Sequence, residues 1–321
     1  MNQIYVQTVN LLLEVLPSVF KATCFAMKGG TAINLFVQDM PRLSVDVDVV
    51  YCDHTVGREE AMQQISHELN RIRAEILAMG FEAGFRSTKG EDEVKIIVSS
   101  PEVQVKIEVN FVFRGTVLPV QMLSLSKNTQ AFFSKNIEVP SLAVSELYGS
   151  KLVAALDRQH PRDLFDVMKM YESHGLTSEI VDCFVIYLAG HNRPVHEVLF
   201  PNQQPIAETF NNEFAGMTYE EVTVGKLEGI RSTLMEELPK ALTLEQKGFL
   251  LSLVQGRPDW SKLPFPHLSE LPALKWKLQN LQKLKAKNQD RFDFQYAELA
   301  KKFKIESLSV LMRAHTLGTC R

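Results

Sequence analysis

The stretch KGGTAINLFVQDMPRLSVDVDVV, from Lys28 to Val50, governs the reading of this chain. Its glycine pair, Gly29 and Gly30, opens an apolar-periodic segment from Thr31. Beyond Pro41 comes Arg42-Leu43-Ser44-Val45-Asp46-Val47-Asp48-Val49-Val50, whose β-branched residues predict a short strand. Alternate strand residues face the same side, so Asp46 and Asp48 project together while Val45, Val47 and Val49 pack behind them. Two carboxylates so placed can hold a divalent cation and, through it, a nucleoside triphosphate. The glycines fit two readings. A strand-to-helix turn needs residues that tolerate positive φ; alternatively, missing side chains let phosphates approach the amides that begin the next helix. The spacing is neither that of the dinucleotide fingerprint nor that of the P-loop.

Working outward, a third carboxylate lies on a later strand. In Val105-Lys106-Ile107-Glu108-Val109-Asn110, Glu108 sits on the face opposite Ile107 and Val109, together with Lys106 and Asn110. If that strand pairs beside the Asp46 strand, three carboxylates converge, and a divalent cation is the usual remedy for their repulsion. Glu108 would then help hold the metal or take a proton. The other reading is a solvated acid on a hairpin strand.

A second cluster, Lys151, Arg158, Arg162, Asp163 and Asp166, falls in a helical region. Lys151 and Arg158 share a helix face, and Lys151 lies amid Leu147, Leu152, Val153 and Leu156. That setting predicts a partly buried ammonium in need of an anion, which a triphosphate in an inter-domain cleft would supply. The plainer alternatives are a pairing of the basic face with Asp157, Asp163 as a helix cap, and Arg162 with Asp166 as a surface pair.

The first half of the chain alternates strands and helices. Met1 to Phe20 reads as an amphipathic helix, Phe20 to Met27 as a buried strand, and Thr31 to Phe36 as a helix. Val45 to Tyr51 is a strand, and a long helix from Arg58 to Met79 ends at Gly80. Phe81 to Arg86, Val94 to Ser99 and Val103 to Val112 follow as strands, the last two joined by a hairpin turn at Ser99-Ser100-Pro101-Glu102. After Pro140 the periodicity is helical: Ser141 to Leu156, Pro161 to His174, Ser178 to Ala189, Tyr219 to Leu238, Leu244 to Gln255, Leu271 to Lys287 and Phe294 to Lys304. The expected fold is α+β, a mixed sheet flanked by helices over residues 1–140, then an all-helical domain over 141–321.

Composition excludes several classes. With 35 basic against 38 acidic residues among 321, the net charge of −3 gives no global signal for nucleic acid. Cys24, Cys52, Cys183 and Cys320 lack metal-ligand spacing and are expected as reduced thiols in the cytoplasm. Glu14 interrupts the first apolar run, which has no basic lead or cleavage site, and no apolar run approaches the roughly 18 residues of a membrane span. No membrane partner is expected.

The strings KGGTAINLF from Lys28, RLSVDVDVV from Arg42, SELYGSKLVAALDRQHPRDLFDV from Ser145 and FLLSLVQGRPDWSKLPFPHLSELPALKWKLQNL from Phe249 resemble the AbiEii/AbiGii nucleotidyltransferase toxins. The resemblance covers nearly the whole chain. It implies a polymerase β-like nucleotidyltransferase domain and a toxin of a bacterial type IV toxin–antitoxin, or abortive infection, system. It also implies nucleotide transfer from an NTP with Mg2+, and in some relatives the acceptor looks to be the 3′ end of tRNA. Position by position, Gly29, Gly30 and Thr31 match the phosphate motif, with Ser44 close by. Asp46 and Asp48 match the metal acids, and Glu108 the third metal acid. Lys151 and Asp163 match later catalytic positions, with Arg158 and Arg162 beside the triphosphate. Val45 and Val47 stand where acidic or isoleucine residues are usual. A cognate antitoxin encoded nearby and acting without stable binding is implied as well. Basic residues for RNA would be Lys275, Lys277, Lys283, Lys285 and Lys287, which also suit the solvent face of an amphipathic helix. Two alternatives stay open: a small-molecule acceptor such as an antibiotic, and a non-catalytic nucleotide-binding regulator.

Overall fold

The computed structural model describes residues 3–87, 93–111 and 113–304. Its strands are β1 (Phe25–Lys28), β2 (Asp46–Tyr51), β3 (Glu82–Ser87), β4 (Glu93–Ser99), β5 (Gln104–Asn110), β6 (Gln121–Ser124) and β7 (Glu138–Ser141). They form one mixed sheet of order β3-β4-β5-β2-β1-β7-β6. The two acid-bearing strands are direct neighbours: β2 pairs with β5 in parallel, placing Asp48 beside Glu108, and with β1 antiparallel, placing Asp48 beside Lys28. One sheet face is apolar, with Val47, Val49, Ile96, Val98, Ile107 and Val109 fully buried. Helices α1 (Gln3–Phe20) and α3 (Arg58–Ala78) pack on the sheet. By strand alternation the other face carries Asp46, Asp48, Lys95, Lys106 and Glu108.

Between β1 and β2 the chain makes α2 (Gly29–Thr31), which runs on as a π-helical turn over Ala32–Val37. Gly29 takes φ +78° there. Such widened turns are frequent at functional sites. After α4 (Lys127–Phe133) and β7 come α5 (Val144–Arg158), α6 (Pro161–Ser173), α7 (Ser178–Gly190), α8 (Val195–Leu199), α9 (Ala207–Glu213), α10 (Val224–Ala241), α11 (Leu244–Val254), α12 (Pro272–Lys287) and α13 (Gln289–Lys302).

Local signals set many of these ends. Gly80, at φ +89°, follows the end of α3, as its left-handed tolerance predicts. Pro161 opens α6, but the cap is His160, whose ring accepts from the Arg162 amide; Asp163 is not the cap. The expected strand from Phe20 shrinks to Phe25–Lys28 because α1 continues through Pro17 to Phe20. Pro140 lies within β7, so the sheet extends to Ser141. Periodicity did not reveal β6, α4, β7, α8 and α9, which are too short to show a period. Strand β6, at the sheet edge, is also largely exposed. Val112 and Cys320 lie outside the described residues; Cys24, Cys52 and Cys183 are unbridged. Among the described residues no helix is long and apolar enough to cross a membrane.

Helix α5, which carries Lys151 and Arg158, is held against α7 through Gly149. A Cβ there would stand 2.6 Å from the Cys183 Cβ and 2.7 Å from the Phe184 amide nitrogen. Backbone cannot retreat as a side-chain tip can, so Gly149→Ala should cost about 1–3 kcal/mol or more. Thermal or denaturant unfolding would register the loss; an unchanged midpoint would show that the two helices are not locked there.

Candidate active site

Three pieces of chain meet at the polar face of the sheet: the glycine turn after β1, the Arg42–Asp48 segment, and helices α5 and α6. Gly29 is required on two grounds. Its φ is positive, and a Cβ would overlap the Asp48 carboxylate. At Gly30 a Cβ would stand 2.8 Å from the Arg42 Nη2 and 3.1 Å from the Ser44 Oγ. The Thr31 hydroxyl, 1% exposed, turns inward to the Ser44 Oγ at 3.0 Å and to the Asp46 carbonyl. Thr31 and Ser44 thus splice turn to strand, with the Ser44 hydroxyl oxygen accepting from the Thr31 hydroxyl.

Asp46 and Asp48 share one face as expected. The Asp48 carboxylate makes no hydrogen bond or ion pair with a described residue; burial, opposed by Lys28 and reinforced by Glu108 and Asp46, pushes it up to about 6. A carboxylate with no hydrogen-bond partner of its own, set beside two other acids, suits a hard cation. The Arg162 guanidinium stands 3.8 Å from Asp46. Glu108 neighbours Asp48 across the strands, but its Oε1 is held by the Lys95 Nζ at 2.8 Å. Among the described residues no group of three or more His, Cys, Asp or Glu side chains is gathered closely enough to grip an ion. The ready oxygen donors are Asp46 and Asp48, with Glu108 drawn aside.

The helical cluster is an ion network. Lys151, 6% exposed, donates to the Asp163 Oδ1 at 2.9 Å and lies 2.9 Å from the Asp166 Oδ2. Within the chain, its anions are these two carboxylates. Arg158 also donates to Asp163, at 2.6 and 3.0 Å, while its side chain stays 62% exposed. Two flanking acids keep the Lys151 ammonium charged despite burial, and the cations hold Asp163 and Asp166 below the usual carboxylate range. Asp157 pairs with Arg193 instead of the basic face.

Asp166 does not form the surface pair with Arg162. It is fully buried and takes a fork from Arg42, with Nε and Nη2 each at 2.7 Å, and a further bond from the Asn34 amide at 2.9 Å. The same Asn34 amide donates to the Gly30 carbonyl at 2.9 Å. One carboxylate of α6 therefore ties together the glycine turn, the Arg42 segment and Lys151. The opposite side of that segment is fixed by the Leu43 amide on the Met217 carbonyl, next to α9. Arg42 and Asn34 were not singled out from sequence. Their signal was a polar residue amid apolar neighbours in Ala32-Ile33-Asn34-Leu35 and an arginine just before a buried leucine.

The polar face of a mixed sheet thus brings together paired acids on β2, a third acid on its neighbour, a glycine turn and the basic residues of α5 and α6. The family model for "Nucleotidyl transferase AbiEii toxin, Type IV TA system" matches residues 10–280, so the chain belongs to that family. Among solved structures it is similar to MenT4, nucleotidyltransferase toxin Rv2826c from Mycobacterium tuberculosis H37Rv. That match has a TM-score of 0.55 at 17% identity and covers 80% of this chain and 84% of the other. It shares the fold. No curated protein sequence matches.

Two outcomes follow from the charges. Asp48 is protonated in both folded and unfolded states below about pH 4; above about pH 6 it is ionised in both, and only the folded state resists the charge. After screening of a partly exposed group, about 2 kcal/mol of stability should be lost between those pH values. Asp48→Asn should raise Tm at pH 8 by a few degrees and leave Tm near pH 4 unchanged; equal shifts at both would remove the titration as cause. Asp166→Asn strands Arg42 and Lys151 with one acid fewer and should cost about 3–5 kcal/mol, read by denaturant unfolding.

Proposed function

We propose that this toxin transfers a nucleotide from an NTP, with Mg2+ bound at Asp46 and Asp48, to the 3′ hydroxyl of an RNA acceptor such as tRNA. The observation that carries this reading is the Asp48 carboxylate, buried beside Asp46 and Glu108 without a hydrogen bond or ion pair of its own among the described residues. Hard carboxylate oxygens suit Mg2+, which, when bound, neutralises triphosphate charge. The amides after Gly29 and the exposed head of Arg158, with Arg162, face the triphosphate. Lys151 and Asp163 hold Arg158 in place. Glu108, once released from Lys95, completes the acid set and takes the acceptor proton. The hydroxyl oxygen then bonds to the α-phosphorus as the bond to the β-phosphate oxygen breaks and pyrophosphate leaves.

The helices from residue 141 onward act as the second domain and close the cleft against the sheet. Lys275, Lys283, Lys285 and Lys287 on α12 are exposed, and Lys283 lies 5.5 Å over the exposed Trp276 ring. A basic strip with an aromatic platform favours RNA over a small molecule. Lys277 is excluded from that strip. It is buried and donates to the His191 and Arg193 carbonyls. The toxin acts in the cytoplasm, against an antitoxin encoded nearby that does not bind it stably.

Transfer of label from each α-labelled NTP to total tRNA, with Mg2+ or with EDTA, tests the reading. Label should appear only with Mg2+ and should be lost in Asp46→Ala/Asp48→Ala by at least a thousandfold, an effect on the order of 4 kcal/mol of transition-state stabilisation. Label that survives in the double variant would sink the assignment of the acids. Label on a protein or small molecule but not on RNA would sink the acceptor.

A further inference from the structure

Four charged residues line up across the sheet beneath the glycine turn. Lys95 on β4 is in register with Glu108 on β5, Glu108 with Asp48 on β2, and Asp48 with Lys28 on β1. Direct cross-strand partners carry their side chains on one face, with Cβ atoms about 5 Å apart, so the row is contiguous. Its two ends differ. Lys95 is bonded to Glu108 at 2.8 Å, whereas the Lys28 ammonium makes no hydrogen bond or ion pair with any described residue. Glu146, the other acid within electrostatic range of Lys28, already accepts from the Val117 and Leu118 amides at 2.8 and 2.9 Å and from the Tyr187 hydroxyl at 3.0 Å. Lys28 is also the residue immediately before Gly29, so its ammonium and the amides of the turn serve the same space.

We infer that Lys28 is a triphosphate-binding residue that balances Asp48 before substrate arrives and passes to a phosphate oxygen of the NTP once a divalent cation is held by Asp48. The inference rests on the nucleotide reading proposed above and adds to it a residue and an exchange. Lys28 and the cation compete for Asp48, while Lys28 and the cation cooperate on the nucleotide. Removing the ammonium should therefore move two affinities in opposite directions, which a packing role would not do.

Calorimetric titration of the full chain separates these effects, first with Mg2+ alone and then with the α,β-methylene analogue of each common NTP in the presence of Mg2+. Lys28→Met should weaken nucleotide binding about tenfold or more, as expected for loss of a charge-assisted hydrogen bond, and should tighten Mg2+ binding severalfold. Lys28→Arg should keep nucleotide affinity within a few fold. Nucleotide affinity within twofold of wild type in Lys28→Met, or a fall in both affinities, would overturn the assignment. Wild-type protein that binds neither Mg2+ nor any analogue would overturn the nucleotide reading itself, and with it the role of Lys28.

Discussion

The site depends on one buried carboxylate. Asp166 lies on a helix of the second half of the chain, yet its three partners come from the π-helical turn, the Arg42 segment and α5. A buried ion pair of this kind is a poor source of net stability, because desolvation offsets most of the attraction. Its value is geometric. Arg42 meets Asp166 through a planar fork, which fixes both direction and distance. Asn34 then carries that constraint to the Gly30 carbonyl, one residue after the point where the backbone clears Asp48. Sheet and helices are thus registered to one another by directional bonds, where apolar packing alone would tolerate sliding.

Around that anchor the charges divide into committed and uncommitted groups. Lys151, Asp163 and Asp166 are committed, each within a network that keeps it ionised despite burial. Asp48 is uncommitted, and the same burial works against its charge. The proposed binding of metal and polyphosphate needs this asymmetry. Positioning groups must be satisfied internally so that they do not move, and binding groups must be left in deficit so that a ligand improves their energy. Arg158 combines the two, being anchored at one side by Asp163 and exposed for the rest.

Neighbouring elements that seem remote serve the same end. The Gly149 contact sets how close α5 comes to α7 and thus where Lys151 meets Asp163 and Asp166. Buried Lys277 satisfies carbonyls just past the end of α7, which explains a lysine that charge patterning alone would place at the surface. Its removal leaves a lysine strip on α12 made only of solvated residues.

By itself the sequence determined what depends on nearest neighbours along the chain. Val-Asp-Val-Asp-Val makes a strand with both acids on one face, a glycine ends α3, and a proline starts α6; each follows from backbone geometry over a few residues. The long helices were legible because their apolar period runs over several turns. Short edge elements such as β6 and α4 were not, since a few residues carry no period. The tertiary structure alone decided which groups meet. That Lys151 finds Asp163 and Asp166, that Arg42 reaches across to α6, and that Lys95 draws Glu108 aside are contacts between residues far apart in sequence. Their pairing depends on strand order and helix docking, and electrostatics acts through space, without regard to chain order.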